Sequence, residues 1–509
     1  MTDNNTTQRL NIEAVKRIAE TVRTTLGPLG MDKMMVDGGG NVIVTNDGAT
    51  ILREVDTAHP AAKMVVEVSK MQEANAYDGT TSTVVLASQL LANSEGLFSK
   101  GLHPNVIIKG YSTARNMAVE CLSKMSIGTP YYDGVEVKDD LLFDVAKTAI
   151  TGKSLEASEE KVANLCVETI KTIGNARDVK TLAVPGGSLA DSWLYNGVVL
   201  DKDFIGGGDE FRNWDNEDGV EILLLNGGLT EGKESANVSV QVSDANSYNQ
   251  VQAMGRDKLL EAAKAVVNCG AGVVVCRDSV HDTAIAYLRK QGISVVQRVP
   301  ESTMRRLSNE LMNTPIHMTP EPSSTTGIGH IDRVIHNDVP YLYVNSLAKE
   351  CMTTHRESTL ILKGATQSTL DEIQRGFDDA LGVVSLVKNG DSMRFGGGST
   401  YVAIAAHLRA NASEVGGRAQ MAIEAFADAL EAIPATIAEN AGYDPLDTVL
   451  AMRHKLPEFY GPDVENGGVR DMAGIYEPTS LIRSAINGAT EVSCAILRID
   501  DVIGRRGAE

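Results

Sequence analysis

A chain of 509 residues exceeds what one hydrophobic core ordinarily organises, so two to four domains are expected. Hydrophobic residues at 43%, with aromatics at only 5%, describe an aliphatic globular protein rather than a disordered one. Basic side chains number 47 and acidic ones 67, a net charge of −20 that argues against a nucleic-acid partner held through its phosphates. Six cysteines without a CxxC pair do not make a disulfide framework, and reduced thiols in a cytoplasmic setting are the simple reading. Residues 1–10 lack the apolar run of a signal peptide, and no stretch reaches the ~18 apolar residues of a membrane span, so no membrane partner is expected.

The first 126 residues read as mostly helical, with Ile12, Val15, Ala19, Val22 and Leu26 at helical spacing. Residues 33–45 break that period and predict a hairpin with a glycine-rich tip. Helix returns at Pro60, a residue suited to a first turn, with Met64, Val68 and Met71 on one face. A further helix begins after Gly79 and runs through Val84, Ala87 and Leu91, and another follows His103 and Pro104. Between about 180 and 360 the pattern changes. Short β-rich runs at 198–200, 222–225, 273–275, 293–296 and 341–344 alternate with helical stretches near 256–267, 280–291 and 301–311, which predicts an α/β domain. Residues 206–208 and 319–329 read as loops. From about 366 helix dominates again, over 369–388 and 420–432, with Pro434 bending or breaking the second. Residues 494–503 read as a strand. The order helical, α/β, helical predicts an α/β module inserted into a helical domain built from both chain ends.

Among motifs, the run Asp78-Gly-Thr-Thr-Ser-Thr83 before an apolar helix carries the strongest signal. Backbone N–H groups and hydroxyls at a helix N-terminus attract an anion such as phosphate, and the adjacent carboxylate suits Mg2+. Helix capping by Asp and Thr explains the same residues and leads on this motif alone. The run 24–30, Thr-Thr-Leu-Gly-Pro-Leu-Gly, flanks a turn with two glycines, suited either to close approach of a ligand or to stopping a helix. Asn46-Asp-Gly48 is a turn signature. Asp378 and Asp379 lie in a helical pattern, where a carboxylate either accepts a proton from water or simply faces solvent. There is no GxxxxGK[ST] run, no HExxH and no GxSxG, which argues against a standard P-loop NTPase, a zinc enzyme and a serine hydrolase.

Taken in order, these segments resemble the group II chaperonins, the thermosomes of archaea and their eukaryotic cytosolic relatives. Residues 24–34 are similar to the family's TLGPxGMDKM element. Residues 45–52, 59–63 and 78–83 follow in the family's order and spacing, as do 151–153, 379–381, 396–398, 422–430, 439–445 and 496–503. The resemblance covers nearly the whole chain, densely at both ends and thinly from about 200 to 350. It implies a multidomain α and α/β fold. A helical equatorial ATP-binding domain comprises 1–138 and 395–509, and a small intermediate domain 139–197 and 358–394. An inserted apical substrate-binding domain spans 198–357, with a helical protrusion near 244–260 as a built-in lid. Gly197 and Gly364 would lie at the hinges.

The resemblance also implies residue roles. Asp78 is the Mg2+ ligand. Gly79, Thr80, Thr81 and Ser82 surround the phosphates; Thr25, Leu26, Gly27 and Pro28 form a second phosphate-side loop, and Asn46 belongs to the same site. Asp47 and Asp379 orient and activate the attacking water, and Lys153 senses the γ-phosphate. Gly397 and Glu477 contact the adenosine side, Glu477 toward the ribose. Asp379 lies about 300 residues from Asp78, so this site would assemble only when two domains close. Tyr287 and Leu288 are candidate client contacts, with core packing as their alternative. The implied function is an ATP-hydrolysing cytoplasmic chaperone with ATP and Mg2+ as cofactors. It would enclose non-native client proteins within two stacked rings of identical or homologous subunits, without a separate co-chaperonin. Tyr77 stands where the family usually has glycine, and a side chain there would crowd the loop if the position needs a positive φ. That departure keeps open a second reading, a ring-forming scaffold with weak or absent ATPase turnover. Residues 459–474 also depart from the family pattern.

Overall fold

The computed structural model describes residues 4–36, 40, 42–55, 57–125, 138–153, 155, 158–206, 219–230, 245–347 and 357–501. They fall into two compact units, Met1–Asp178 joined with Thr366–Glu509, and Val179–Ala365.

The first unit opens with helix α1 (Asn4–Arg23), a hairpin of β1 (Lys33–Val36) and β2 (Val42–Thr45), and the short α2 (Gly48–Glu54). The hairpin is antiparallel, with Lys33 opposite Thr45 and Val36 opposite Val42; most of its predicted glycine tip lies outside the described residues. Helices α3 (Pro60–Ala76), α4 (Thr80–Ser99), α5 (Pro104–Lys124), α6 (Asp139–Ile150) and α7 (Glu159–Ile173) follow. Proline sets the first turn of α3 and α5 as expected, and the residue before it does the capping. His59 Nδ1 accepts from the Ala61 amide and His103 Nδ1 from the Asn105 amide, each at 3.2 Å. These histidines are structural caps. Helix α4 is apolar nearly all round, because it runs through the middle of the unit: Val84, Leu86, Leu90 and Leu91 are fully buried.

The second unit holds the predicted α/β alternation. Its elements are β3 (Lys180–Pro185), β4 (Trp193–Tyr195), β5 (Val198–Leu200), β6 (Val220–Leu225), α8 (Ala245–Asn268), β7 (Val273–Cys276), α9 (Asp282–Lys290), β8 (Ser294–Val296), α10 (Glu301–Glu310), β9 (Ile316–His317), β10 (Gly327–His336), β11 (Val339–Ser346) and β12 (Thr359–Gly364). Six strands form the path β5-β11-β10-β6-β7-β8, with β9 beside β6. Strands β6, β7 and β8 are parallel; β10 and β11 are antiparallel. The strand period places Ile222 and Leu224 of β6 on one face with Met304 and Leu307 of α10. Leu223 and Leu225 face the other way, with Leu259, Ala263 and Val266 of α8 and Ala284 and Leu288 of α9. A separate sheet pairs β12 parallel to β3 and antiparallel to β4.

Two expectations are corrected here. Leu288 is fully buried against the sheet, so it is core and cannot meet a client; Tyr287 packs partly against the same cluster. The expected loop at 319–329 ends early, since β10 begins at Gly327. Gly206 lies in a turn, and 207–208 lie outside the described residues. Of the expected lid, α8 covers 245–260, and Leu259 anchors it in the core while Met254 stays exposed; residue 244 and the side chains of 245–252 are not described.

The chain then returns to the first unit with α11 (Gln367–Lys388), β13 (Met393–Phe395), α12 (Ser399–Val415), α13 (Gly417–Leu430), α14 (Ala432–Asn440), α15 (Pro445–Lys455), β14 (Tyr460–Pro462), β15 (Val469–Asp471), β16 (Tyr476–Pro478) and α16 (Thr479–Leu497). The helix is interrupted at Glu431, and Pro434 occupies the first turn of α14, where its missing N–H is harmless. The expected strand at 494–503 is overturned: its first residues end α16, 498–501 are irregular, and 502–503 lie outside the described residues. Ile482, Ala485, Ile486, Ala489, Ser493 and Ile496 hold a helical period that a short apolar run disguises, and α16 packs on α3, α4 and α5. Among the described residues no cysteine forms a disulfide, and no helix is long and apolar enough to cross a membrane.

The two chain ends share one core. Tyr111 of α5 meets Phe426 of α13 edge to face, with ring centroids 5.8 Å apart, and its hydroxyl donates to the Leu90 carbonyl of α4 at 2.7 Å. Phe426→Ala should therefore destabilise the unit by about 3–5 kcal/mol, as ring-sized core cavities do, read as a lower denaturant midpoint. A change below about 1 kcal/mol would show that the joint is not shared core.

Candidate functional site

A cavity of about 950 Å³ opens in the first unit, walled by segments from both chain ends. Every residue assigned to the site from sequence lines it except Asp379: Thr25, Leu26, Gly27, Pro28, Asn46, Asp47, Asp78, Gly79, Thr80, Thr81, Ser82, Lys153, Gly397 and Glu477. Asp379 is not part of the wall but pairs with Lys153, which is.

Of the helices that begin at this cavity without a side-chain cap, two open on a left-handed glycine. Gly79, at φ +79°, opens α4, and Gly398, at φ +77°, opens α12. Both take the left-handed conformation that glycine adopts without strain. Asp78 takes the Gly79 amide, but no side chain caps the first amides within α4 or α12, so both helix ends keep donors and a partial positive charge for an anion. By contrast, α2 is capped by Asp47, whose two oxygens accept from the Ala49 amide at 3.1 Å and the Thr50 amide at 2.9 Å. The α2 and α4 starts pack closely: a Cβ on Gly48 would lie 2.3 Å from Thr81 Oγ1, so glycine is required there.

The charged groups form one cluster. Lys153 Nζ donates to Asp379 Oδ2 at 2.7 Å and lies 3.9 Å from Asp78 Oδ1. Asp78 also accepts from the Gly79 amide at 2.7 Å, and its own carbonyl accepts from Gln72 Nε2 at 2.9 Å. Asn46 donates its side-chain amide to the Gly152 carbonyl, tying the turn before α2 to the loop carrying Lys153. Burial pushes the Asp379 carboxyl up to about 8, against the pull of Lys153 and with the added repulsion of Asp78 and Asp47. Burial works against the Lys153 ammonium, yet Asp379, Asp78 and Asp47 together hold its pKa above the usual range. Across the cavity, burial and then the charge of Asp78 push Glu477 up to about 7, while the Gly397 amide donates to it and pulls the other way.

Hard carboxylate oxygens beside two anion-seeking helix ends suit a divalent cation shared with phosphates. Among the described residues no group of three His, Cys, Asp or Glu could hold a metal by itself. Asp78 as a single protein ligand, with the remaining positions taken by phosphate and water, fits Mg2+.

A model of the TCP-1/cpn60 chaperonin family matches residues 18–506. The chain belongs to that family. Thermosome subunit beta of Archaeoglobus fulgidus is 36% identical over 519 aligned positions, covering 99% of this chain and 92% of the relative. The thermosome subunit of Methanopyrus kandleri is 38% identical, covering 98% and 92%. Thermosome subunit alpha of Halobacterium salinarum is 37% identical, covering 97% and 88%. This likeness along the whole chain puts it among the group II chaperonins. It is thus a nucleotide-binding ATPase subunit whose work is ATP-dependent protein folding.

Sequence reasoning missed several walls of this chaperonin's cavity: Tyr401, Ile437, Arg470, Met472 and Tyr476. Arg470 and Met472 lie in the 459–474 segment that departs from the family pattern. Its β14–β15 hairpin, with Tyr460 opposite Asp471, forms a wall. No motif marked these residues, because walls need shape more than particular chemistry. Tyr77 has φ +63°, so the position does need the left-handed conformation, but its side chain is not part of the cavity wall.

Gly48→Ala should separate the α2 and α4 starts and weaken nucleotide binding by about tenfold or more, the effect of ~1.4 kcal/mol. Calorimetric titration with ADP measures it, and unchanged affinity would refute the need for this close approach.

Proposed function

We propose that this chain is one segment of a double-ring chaperonin cage that binds Mg2+-ATP in the cavity of the first unit and hydrolyses it to enclose non-native client proteins. The observation that carries the reading is the convergence of two uncapped helix starts on a cavity edged by the Asp78–Lys153–Asp379 cluster. Such an arrangement supplies what phosphoryl transfer to water needs: charge neutralisation, in-line positioning and a nearby base.

In this reading, the α4 start at Gly79, Thr80, Thr81 and Ser82 binds phosphate oxygens, and the loop Thr25, Leu26, Gly27 and Pro28 with Asn46 closes over them. Asp78 would hold Mg2+, which supplies neutralisation of the phosphate charge. Lys153 donates to the terminal phosphate. Once Lys153 turns to phosphate, the Asp379 carboxylate is released to accept the proton of the attacking water, with Asp47 orienting that water from the α2 start. Gly397 and Glu477 receive the adenosine side, Glu477 at the ribose.

We assign 1–138 and 395–509 to an equatorial domain, 139–197 and 358–394 to an intermediate domain with hinges at Gly197 and Gly364, and 198–357 to an apical domain. The N-terminal part of α8 is the built-in lid, which makes a separate co-chaperonin unnecessary. Identical or homologous subunits form the rings, and the setting is cytoplasmic. The exposed Met34 and Val36 of the hairpin β1–β2 support a neighbouring subunit pairing there.

Asp379→Asn should cut kcat strongly while sparing nucleotide affinity, since removing a base slows chemistry more than binding. The carboxylate is the active form and its pKa is raised. For the parent, kcat/KM should therefore fall as pH drops through about 8, and Asp379→Asn should lose that limb. Parental turnover in the variant would overturn the role. Asp78→Asn should raise the Mg2+ concentration needed for half-maximal activity, and an unchanged requirement would count against it as the ligand.

A further inference from the structure

Tyr77 and Gly382 each make an unfavourable local choice. An L-residue in the left-handed conformation costs roughly 1–2 kcal/mol, and Tyr77 has φ +63° and ψ −19°. A glycine inside a helix costs about 1 kcal/mol relative to alanine, and Gly382 lies well within the 22-residue α11. Each explains the other. A Cβ on Gly382 would lie 2.0 Å from Tyr77 Cγ, 2.3 Å from its Cδ1 and 2.5 Å from its Cβ. The tyrosine thus sits in a notch that only glycine leaves.

The far end of the ring is held as well. Arg177 Nε donates to the Tyr77 hydroxyl at 3.2 Å. Arg177 belongs to a one-turn 3-10 helix, Ala176–Asp178, whose Ala176 amide donates to Ser385 Oγ of α11 at 3.3 Å. Both grips on the tyrosine therefore lead to the same helix. Gly382 follows Asp379 by three residues, on the same face, and Tyr77 directly precedes Asp78.

We infer that Tyr77 is a positioning residue, a knob in the Gly382 notch that fixes the distance between the Asp78 loop and the helix bearing Asp379. The inference rests on the reading that these two carboxylates serve hydrolysis. A glycine at 77, the usual family residue, would offer no such knob. The side chain that left the ATPase open to question from sequence is turned to setting its geometry.

The test is a cycle of four proteins: parent, Tyr77→Gly, Gly382→Ala, and the double variant. Melting temperature and steady-state kinetics are read on the assembled protein. Gly382→Ala alone should lower the melting temperature and cut kcat about tenfold with KM for ATP within about twofold, a scale set by small misplacement of a reacting group. Tyr77→Gly alone should also lower kcat. In the Tyr77→Gly background the same alanine should raise the melting temperature, because it favours the helix and meets no ring, and should restore part of kcat. Additive effects of one sign in both backgrounds would overturn the contact. Sign inversion in melting temperature with kcat alike in all four would overturn the positioning role. Inversion in a parent without turnover would overturn the site reading, and the positioning role with it, while leaving the contact.

Discussion

Lys153 links two carboxylates from distant parts of the chain, Asp379 on α11 and Asp78 before α4. Two like charges about 4 Å apart repel by roughly 4 kcal/mol at an effective dielectric near 20. Asp78 and Asp47 both act on Asp379 here, and a polyphosphate would add more charge. A cation between them makes the cluster tolerable when nucleotide is absent. Buried ion pairs seldom add much net stability, so the arrangement serves the cavity more than the fold. It also keeps Asp379 occupied until something else claims the ammonium.

The same priority appears in how helices begin. Helices α2, α3, α5 and α15 start with a side-chain cap, each a contribution of about 1 kcal/mol. The α4 and α12 starts, which line the cavity, have glycine instead. Helices α6, α7, α10 and α13 lack a side-chain cap as well, so what marks the α4 and α12 starts is a left-handed glycine at the cavity. Packing follows suit: Gly48 lets the capped α2 approach the uncapped α4, so that Asp47 and Thr81 line one cavity.

Much of this was legible in the chain. The hydroxyl-rich run before α4 read first as a helix cap, and only the collinear resemblance along the whole chain turned it into a phosphate site. The alternation in the second unit was visible because strand and helix periods differ, and residues 222–225 fill both faces of the sheet with apolar side chains. Residues 494–497 were misread because a short apolar run fits strand and buried helix alike; only contact with α3, α4 and α5 decides. Leu288 was ambiguous for the same reason, since a surface contact and a core residue look identical in one dimension. Gly382 gave no signal at all. A glycine inside a helix pattern has meaning only when the residue filling its space is known, and Tyr77 is about 300 positions away.

The two glycine-opened helix starts lie about 320 residues apart, one near the front of the chain and the other in its last quarter. At a synthesis rate of about 5–20 residues per second, the ribosome needs roughly 15–60 seconds to travel from the first to the second. During that interval α4 has emerged without the partners that complete its cavity, while the second unit, a compact body of continuous chain, is released whole. Order of birth thus separates the parts: the intervening module can fold early, and the cavity has all its walls only once both helix starts have been made. A product cut short before Gly397 therefore lacks one of the two glycine-opened helix starts that wall the cavity.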